Sequence, residues 1–481
     1  MLGQMMCQPL LISALLRHAE RHHATQEVVS RRVEGDIHRC TYAELASRSR
    51  RLARALAGLG VAPGQRVGTI AWNGYRHLEL YYAVSGSGAV LHTLNPRLHA
   101  DQVVWIADHA EDQVLCFDKT FLPLVEAVAP RLATVKHFVL MADKAHMPAS
   151  SAIPGLVCYE DLIDGQPDDH FEWPSFDEHT ASSLCYTSGT TGNPKGVLYS
   201  HRSTVLHTLA SALPDALNLS AADAILPVVP MFHVNAWGIP YSAAMVGAKL
   251  VLPGPHLDGE SIFNLMQQER VTFSQGVPTV WMMLFQYLDA NPHLDPKSLG
   301  VKRVGIGGAA VARGMLERFE NQFGAEVVQG WGMTETSPIG VVSKLLLKHA
   351  NVPAEDLIKT KLKQGRGVWG VDLKIVDENG QALPWDGVAF GHLHVRGPWI
   401  ASGYYRREGG EVLDDEGYFP TGDVATIDPD GYLQLVDRAK DVIKSGGEWI
   451  SSIDVENTTN SHPGVAESAV IGVAHPKWQE R

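Results

Sequence analysis

The sequence predicts an α/β protein with a body of parallel-rich sheets and a later part of short antiparallel strands. Two observations lead to this prediction. Up to about Gly365, buried strands alternate with amphipathic helices, and strands joined by helices pair in parallel. After that point, short strands such as VDLKIVDENGQ and DGYLQLVDR are separated by Asn-Gly and Asp-Gly turns, which favours a small β-rich block in the form of a distorted barrel.

The first alternation begins with a helix over residues 41–59. Thr41 and Glu44 form the Thr-x-x-Glu pattern of a capping box, and Leu45, Leu52 and Leu56 follow at helical spacing. RVGTIAWN then has the pattern of a buried strand, HLELYYAVSGSG that of a helix, and AVLHTLN that of the next strand. This order predicts a parallel pair joined by a helix.

A second alternation covers residues 223–280. It consists of AILPVVP, a helix after Trp237, AKLVLPG, a helix at SIFNLMQQER and the strand VTFSQGV. Between the two blocks, residues 143–180 are rich in Pro, Asp, Ser and His, which is typical of a surface excursion.

Composition excludes several classes of function. The chain of 481 residues is 45% hydrophobic and 19% charged, which fits a large core. A net charge of -13 argues against nucleic acid as a partner. The five cysteines lack CxxC spacing, the N-terminus lacks a basic signal region, and the most apolar run, residues 226–253, is broken by prolines and polar groups. We therefore expect a cytoplasmic protein without a transmembrane segment.

The loop TSGTTGNPKG, residues 187–196, carries the first candidate site. It is not a Walker loop, since Lys195 is preceded by Pro194 and followed by Gly196. SSLCY before it and GVLYS after it both have strand character, so the motif is strand, loop, strand. Successive backbone N–H groups in such a loop form an anion-binding nest, while a plain surface turn is the alternative.

This loop, following Tyr186, resembles the phosphate-binding signature of the adenylate-forming (ANL) superfamily, which includes acyl-CoA synthetases and peptide-synthetase adenylation domains. Further motifs of the superfamily follow in order: LNPRL at 94–98, PMFH at 230–233, GIGGAA at 305–310, QGWGMTET at 329–336, GRG at 365–367, YFPTGD at 418–423 and DRAKDVIKSGGEWIS at 437–451. VPMFHVNAWG and IKSGGEWISS are similar to medium- and long-chain fatty-acid-CoA ligases and to 3-methylthiopropionyl-CoA ligases.

The resemblance implies a domain division. Residues 1–437 would form an N-terminal AMP-binding domain with two parallel-rich α/β sheets and a distorted β-barrel, and residues 438–481 part of a small α+β lid. Family lids have roughly a hundred residues, within the range of a small domain, whereas 41 residues follow Lys440 here. We therefore expect an incomplete lid, in which no residue takes the role of the family's late catalytic lysine. Lys440 matches the hinge, and Lys444 and Trp449 match the strand that approaches the adenylate for thioester formation.

The resemblance also implies a reaction in two halves, with ATP, Mg²⁺ and coenzyme A. A carboxylate attacks the ATP α-phosphate to give acyl-adenylate and pyrophosphate, and the thiolate of coenzyme A then displaces AMP. The implied phosphate-binding residues are Thr187, Ser188, Gly189, Thr190, Thr191, Gly192 and Lys195. Thr187 and Glu335 would hold the metal, although Glu335 alone equally fits an acid at a helix start.

Nucleotide recognition is implied at two further motifs. The residues placed around adenine are Gly307, Gly308, Ala309, Gln329, Gly330, Trp331, Gly332, Met333 and Thr334. Missing side chains let a purine lie against the backbone there, while core packing of small residues is the alternative. Asp423 and Arg438 would bind the ribose hydroxyls, although an Asp after Gly is often only part of a turn.

The acyl pocket is implied around His233, which would orient the substrate carboxylate. Its alternative is a histidine satisfied within the core. No acidic residue lies between Asp223 and Asp258, so a substrate ammonium would lack a counter-charge and a neutral apolar acid is favoured. The wall residues suggested are Val234, Trp237, Met245, Val277 and Trp331, with Trp237 either gating an acyl tunnel or simply a buried aromatic.

Three functions remain open at this point. The chain is a CoA ligase, an enzyme that stops at the acyl-adenylate, or a lid-deficient protein that binds nucleotide and acyl groups without turnover. The resemblance also suggests a homodimer. Its small-molecule partners would be a carboxylic acid, ATP and coenzyme A.

Overall fold

Strands and helices alternate along most of the chain in a computed structural model. The model describes residues 1, 3–167, 171–187, 193–439, 443–445, 448–450, 452, 455–456, 459, 464–465, 468–475 and 479–480. The described strands are β1 (Glu27–Arg31), β2 (Ile37–Thr41), β3 (Arg66–Ile70), β4 (Val90–Thr93), β5 (Asp112–Phe117), β6 (His137–Leu140), β7 (Val157–Cys158), β8 (Ala181–Tyr186), β9 (Gly196–Ser200), β10 (Ala224–Pro227), β11 (Lys249–Leu252), β12 (Phe273–Gly276), β13 (Arg303–Ile306), β14 (Glu326–Gly332), β15 (Ile339–Val342), β16 (Arg366–Gly367), β17 (Asp372–Val376), β18 (Phe390–Arg396), β19 (Phe419–Ile427), β20 (Leu433–Arg438), β21 (Ile443–Ser445), β22 (Glu448–Ile450), β23 (Ala474–His475) and β24 (Gln479–Glu480).

The helices include the four that the sequence predicts, over residues 41–59, after RVGTIAWN, after Trp237 and at SIFNLMQQER. They are α1 (Ile12–His22), α2 (Tyr42–Gly58), α3 (Tyr75–Gly86), α4 (Ala100–Ala110), α5 (Leu122–Val128), α6 (Tyr159–Asp164), α7 (His201–Ala212), α8 (Val234–Trp237), α9 (Ile239–Val246), α10 (Gly259–Glu269), α11 (Pro278–Ala290), α12 (Arg313–Arg318) and α13 (Ala354–Lys361). The predicted capping box is present at the start of α2, where the Thr41 side chain accepts from Glu44 N and Thr41 N donates to Glu44. Among the described residues, no helix is long and apolar enough to cross a membrane.

Two large sheets carry the body of the chain. One has seven strands in the order β7-β6-β5-β3-β4-β8-β9, all parallel except for the β8–β9 pair. The other has nine strands in the order β16-β15-β14-β13-β12-β10-β11-β1-β2, parallel from β1 to β14 and antiparallel at both edges. The prediction of two parallel-rich α/β sheets is thereby confirmed.

The β-rich block after Gly365 takes a more open form than a barrel. Its described strands form a four-stranded antiparallel sheet in the order β17-β18-β19-β20, so β17 and β20 lie at opposite edges. A bridge between Gly365 and Leu433 connects this sheet to the nine-stranded sheet. In the last part of the chain, β21 to β24 form a small antiparallel sheet in the order β22-β21-β24-β23.

The predicted surface excursion, residues 143–180, returns into the fold. Its strand β7 extends the seven-stranded sheet, and the Glu160 carboxylate at the start of α6 accepts hydrogen bonds from Arg48 (2.8 Å), Arg76 (2.7 Å) and Tyr75 (2.7 Å). Arg48 also pairs with Glu79 and Arg76 with Glu34, so Glu160 belongs to a network of partly buried charges that satisfy one another. The segment therefore supplies a carboxylate that its composition did not predict.

The largest cluster of buried residues joins the two large sheets. It includes apolar residues of α1, α2, α3 and α9 together with strands of both sheets. Two buried tyrosines reinforce the contact, since the Tyr82 hydroxyl donates to Pro240 O (2.7 Å) and the Tyr42 hydroxyl donates to Ala248 O (2.9 Å). This shared core fixes the segment after β10, which carries part of the candidate site.

Candidate active site

A cavity of about 410 Å³ opens at the carboxyl ends of β10, β12 and β13, next to β14. In an open parallel sheet, ligands bind at this edge. The lining residues are Thr187, Leu217, Val229, Pro230, His233, Val234, Trp237, Gln275, Val277, Gly305, Ile306, Gly307, Gly308, Val328, Gln329, Gly330, Trp331, Gly332, Met333, Thr334, Glu335, Pro338, Ile339, Val341, Val342 and Arg438. Residues from separate sequence motifs thus meet in one cavity.

Of the predicted site residues whose side chains the structure describes, four lie outside this lining. Ala309 is exposed, and Met245 is half-buried on α9, packed against the core that joins the two sheets. Asp423 contacts the lining residue Trp331 through a hydrogen bond. Lys195 contacts the ring of Tyr404, whose hydroxyl donates to the lining residue Glu335. Ala309 follows the left-handed Gly308 (φ 79°), so the chain turns away from the cavity just before it.

The phosphate loop is described only at its stem. The Thr187 N–H donates to Lys195 O (2.9 Å), and the Lys195 N–H donates to Thr187 Oγ1 (3.3 Å). Because β8 and β9 form an antiparallel pair on either side, the predicted strand, loop, strand order is confirmed. Several predicted residues lie outside the described residues, namely Ser188, Gly189, Thr190, Thr191, Gly192 and Lys440; for Lys444 and Trp449, only the backbone strands β21 and β22 are described.

Tyr404 connects the stem of this loop to Glu335. Its hydroxyl donates to Glu335 Oε1 (2.7 Å), and the Lys195 ammonium lies 4.7 Å from the centroid of its ring. Burial and the neighbouring Glu335 carboxylate raise the pKa of Tyr404, so its hydroxyl stays protonated and acts as a donor. Sequence reasoning missed this residue, because a tyrosine in ASGYY carries no signal of its own.

Glu335 is nearly buried, with 5% of its surface exposed. Its backbone carbonyl accepts from Ala401 N (2.8 Å), and the preceding carbonyl, Thr334 O, accepts from the Tyr199 hydroxyl (2.6 Å). Glu335 lies in the first turn of a short 3-10 helix, Thr334–Thr336, as an acid at a helix start would, and it also lines the cavity. Together with the Thr187 hydroxyl, it offers the oxygen donors that Mg²⁺ prefers.

The opposite wall of the cavity contains a strained turn. Val234, Asn235, Ala236 and Trp237 have φ values of 45°, 52°, 48° and 55°, and Gly238 follows at 79°. The four residues of α8 therefore form a single left-handed turn. For residues other than glycine, this conformation costs roughly 1–2 kcal/mol each, so the surrounding contacts must stabilise it.

The Asn235 side chain provides most of these contacts. Its amide donates to Ser183 Oγ (3.0 Å), and its carbonyl oxygen accepts from the Tyr81 hydroxyl (3.2 Å) and the Cys185 thiol (3.6 Å). The buried Gln275 side chain donates to Ala236 O (3.0 Å). Asn235 and Gln275 are positioning residues that sequence reasoning missed, although Asn tolerates the left-handed region better than other side chains.

His233 immediately precedes this turn and lines the cavity. Part of its surface is open to the cavity, while protein atoms lie on its other sides. Burial lowers its pKa, which keeps the imidazole neutral near pH 7. A neutral imidazole offers one donor and one acceptor but no charge. The placement favours a role for His233 in orienting a ligand over that of a satisfied core residue.

Trp237, at the end of the turn, contacts the glycine wall. A Cβ atom on Gly307 would lie 3.0 Å from the Trp237 ring and 3.1 Å from Gly330 O, and one on Gly308 would lie 3.2 Å from Val277. These glycines therefore leave room for the indole and for the close approach of a flat ligand. Trp237 stands at the boundary between the strained turn and the predicted nucleotide wall.

On the nucleotide wall, Trp331 joins the cavity to Asp423. Its indole N–H donates to Asp423 Oδ2 (2.9 Å), and Arg438 Nε lies 3.9 Å from Asp423 Oδ1. Burial raises the pKa of Asp423, while the Trp331 hydrogen bond and the Arg438 charge partly offset that effect. Gly340 is required beneath the indole, because a Cβ there would lie 2.6 Å from the Trp331 ring.

Comparison with known proteins agrees with this arrangement. Residues 15–405 match the model of the AMP-binding enzyme family. The chain is 53% identical to a 3-methylmercaptopropionyl-CoA ligase of Ruegeria lacuscaerulensis, covering 100% of this chain and 88% of that protein. It is 52% identical to a medium-chain-fatty-acid–CoA ligase of Ectopseudomonas oleovorans, covering 100% and 87%.

A solved structure shows the same fold. The crystal structure of the anthranilate CoA ligase AuaEII in complex with anthranoyl-AMP superimposes with a TM-score of 0.86 at 23% identity, covering 98% of this chain and 86% of that one. Likeness at this identity supports the fold alone, whereas the sequence matches extend over the motifs that line the cavity. On these grounds the chain belongs to the AMP-binding enzyme family, in its acyl-CoA synthetase branch.

Proposed function

We propose that the cavity activates an apolar carboxylic acid, either a medium- or long-chain fatty acid or a methylthio acid, and transfers it to coenzyme A. The enzyme is an AMP-forming acid–thiol ligase that uses ATP, Mg²⁺ and coenzyme A. One observation carries the choice of substrate. Among the described lining residues, Glu335 is the sole carboxylate, and it lies on the side of Thr334 and Met333, not on the strained turn.

The acyl side of the cavity is lined by apolar groups. Its members are Leu217, Val229, Val234, Trp237 and Val277. A substrate ammonium buried there would lack a partner, which costs several kcal/mol or more, whereas an alkyl or methylthio chain gains roughly 0.8 kcal/mol for each buried CH₂. The named relatives fit this preference, since one acts on 3-methylmercaptopropionate and the other on medium-chain fatty acids.

The nucleotide is proposed to lie along the glycine wall. Gly307, Gly308 and Gly330 leave space for adenine, and Asp423 with Arg438 binds the ribose hydroxyls as acceptor and donor. Ser188 to Gly192 of the loop and Lys195 bind the β- and γ-phosphates. Thr187 and Glu335 would hold Mg²⁺, which would supply positive charge to offset that of the phosphate oxygens.

The residues of the chain then prepare two steps. Neutral His233 donates a hydrogen bond that orients the substrate carboxylate towards the α-phosphate, and the phosphate-loop donors stabilise the negative charge that develops on pyrophosphate. The carboxylate oxygen forms the new bond to phosphorus while the bond to pyrophosphate breaks. In the second step the coenzyme A thiolate attacks the acyl carbon and AMP leaves.

The domain division, compartment and assembly also belong to the proposal. Residues 1–437 form the AMP-binding domain, residues 438–481 belong to the lid, Lys440 is its hinge, and Lys444 and Trp449 approach the adenylate for the thiol step. Free cysteines at all five positions support a reducing compartment such as the cytoplasm. The proposed assembly is a homodimer, and a measurement of the native mass in solution tests it.

A substrate panel tests this function. Purified protein with ATP and Mg²⁺ is given 3-methylthiopropionate and straight-chain acids from octanoate to palmitate, and pyrophosphate and AMP release are followed with and without coenzyme A. We expect kcat/KM to favour apolar acids over amino acids by on the order of 10³-fold or more, because an unpaired ammonium costs several kcal/mol. Multiple turnovers should require coenzyme A.

Lys195→Ala provides the matched variant for this panel. Because Lys195 is exposed, its removal should leave the thermal unfolding midpoint within about 2 °C, as for most surface substitutions, while pyrophosphate release slows or ATP binding weakens. Pyrophosphate release without any need for coenzyme A would favour an enzyme that stops at the adenylate. Tight ATP binding without any AMP formation would favour a binding protein.

A further inference from the structure

The contacts of Tyr404 extend beyond the residues assigned to the reaction. Tyr404 packs against Cys185, Val197 and Tyr199, three buried residues of the two strands that flank the phosphate loop. Its hydroxyl and its ring face then contact two different predicted groups, Glu335 and Lys195. A single side chain thus connects the predicted metal ligand to the predicted phosphate ligand.

The segment that carries Tyr404 is fixed to the Glu335 region by further hydrogen bonds. Ala401 N donates to Glu335 O (2.8 Å), Ser337 Oγ donates to Trp399 O (2.7 Å), and the Trp399 indole donates to Ile339 O (3.0 Å). The Tyr404 hydroxyl therefore belongs to a rigid attachment between the β-rich block and the edge of the nine-stranded sheet. Rigid support of this kind is what a ligand-binding carboxylate needs to keep one orientation.

The two interactions have different strengths. A hydrogen bond to an ionised carboxylate is stronger than a neutral one, and this one is made to a carboxylate that is nearly buried. The contact of an exposed ammonium with a tyrosine ring is weaker. The same side chain should therefore have a larger effect through Glu335 than through Lys195.

We propose that Tyr404 is a positioning residue for Mg²⁺ and ATP, with its hydroxyl fixing the Glu335 carboxylate and its ring holding the Lys195 ammonium beside the phosphate loop. This inference rests on the proposed function. It separates two contributions that substitutions can remove one at a time, since phenylalanine keeps the ring and loses the hydroxyl, whereas leucine loses both.

Calorimetry measures the affinity for α,β-methylene-ATP with and without Mg²⁺. A second assay, with ATP, measures how the rate of pyrophosphate release depends on the Mg²⁺ concentration. Tyr404→Phe should weaken the Mg²⁺-dependent part of binding by about tenfold, the order expected for a lost hydrogen bond to a charged group, and leave binding without Mg²⁺ unchanged. Tyr404→Leu should also weaken binding without Mg²⁺, by about two- to fivefold.

Tyr405→Phe is the matched control. The neighbouring Tyr405 hydroxyl pairs with Arg406 and its ring packs 5.7 Å from the His109 ring. Neither partner is assigned to Mg²⁺ or nucleotide, so the loss of this hydroxyl should change neither quantity. Equal losses with and without Mg²⁺ in Tyr404→Phe, in step with a lower unfolding midpoint, would reveal a purely structural role and overturn the proposal. Nucleotide binding in Tyr404→Phe identical to that of the parent protein would also overturn the proposal. If the parent itself binds no Mg²⁺-nucleotide, the proposed function fails and this inference falls with it.

Discussion

On the proposed acyl side of the cavity, Val234 to Trp237 form a left-handed turn of four residues other than glycine. On the proposed nucleotide side, β14 is an ordinary strand that pairs with β13 and β15. The strained turn is fixed by neutral hydrogen bonds from Asn235 and Gln275. The strand places side chains that make charge-assisted hydrogen bonds or lie beside them, such as Trp331 with Asp423.

The energies of the two walls differ accordingly. Four left-handed residues cost roughly 4–8 kcal/mol in total at 1–2 kcal/mol each, and the four hydrogen bonds that support the turn contribute about 2–6 kcal/mol at the usual net value. The two sums are similar, so the turn depends on these hydrogen bonds and on the burial of Val234 and Ala236. The nucleotide wall carries no comparable strain, and we expect it to stay fixed when ligands bind.

The largest expected effect follows from removing the support of the strained turn. Asn235→Ala removes the amide partner of the buried Ser183 hydroxyl and Cys185 thiol, while the Tyr81 hydroxyl keeps Met231 O as its acceptor. The variant should lower the free energy of unfolding by about 2–4 kcal/mol. Because His233 and Trp237 lie on the same turn, kcat/KM for the acid should fall by at least about tenfold. Urea denaturation and steady-state kinetics measure the two effects.

Asn235→Gly and Asn291→Ala serve as controls for this variant. Glycine accepts the left-handed conformation, so Asn235→Gly should be about 1 kcal/mol more stable than Asn235→Ala if the strain is real. Asn291→Ala removes one hydrogen bond, to Tyr287 O (2.9 Å), and should cost only about 1 kcal/mol. A loss in Asn235→Ala no larger than in Asn291→Ala would contradict the difference between the two walls.

A substitution on the nucleotide wall should have a smaller effect, and that effect should be confined to the affinity for ATP. Trp331→Phe keeps an aromatic ring and removes the N–H that donates to Asp423, so KM for ATP should rise by about tenfold while kcat changes by less than about twofold. Because that hydrogen bond lowers the pKa of Asp423 against the effect of burial, its removal raises the pKa further. If the ionised Asp423 carboxylate binds ATP as proposed, then lowering the pH should abolish ATP binding at a higher pH in this variant than in the parent.

A nucleotide without ribose hydroxyls distinguishes this explanation from a loss of stacking. The 2′,3′-dideoxy analogue of ATP cannot use Asp423 as an acceptor, so parent and Trp331→Phe should bind it with similar affinity. An equal loss with ATP and the analogue, or an acid limb that does not move, would assign the effect to the ring and not to the carboxylate.

Local patterns in the sequence predicted the ordinary parts of this molecule. The capping box at Thr41, the two parallel alternations and the strand, loop, strand order around Thr187 each depend on a few neighbouring residues. The resemblance placed Glu335 and Trp331, and the structure brings both to one cavity.

The parts that sequence reasoning missed depend on long-range contacts. Tyr404 meets Lys195 across more than 200 positions of the chain, and Asn235 meets Tyr81 across 154. Left-handed φ values at Val234 and Ala236 contradict local preference, so only the folded surroundings determine them. The β-rich block forms an open sheet because β17 and β20 lie at its two edges. The residues of the turns do not specify which strands lie at the edges.

The smallest effect is expected at Met245, which the sequence placed on the acyl wall and the structure places on the side of α9 that packs against the core. Met245→Leu conserves volume and should cost less than about 1.5 kcal/mol of stability, without changing the order of kcat/KM across acids of different length. Val277→Leu is its counterpart, because Val277 lines the cavity beside Gly308. One added methylene there takes space from the substrate and should shift the preference towards shorter acids by about tenfold. A shift in Met245→Leu as large as that in Val277→Leu would mean that the acyl wall extends past the strained turn into α9.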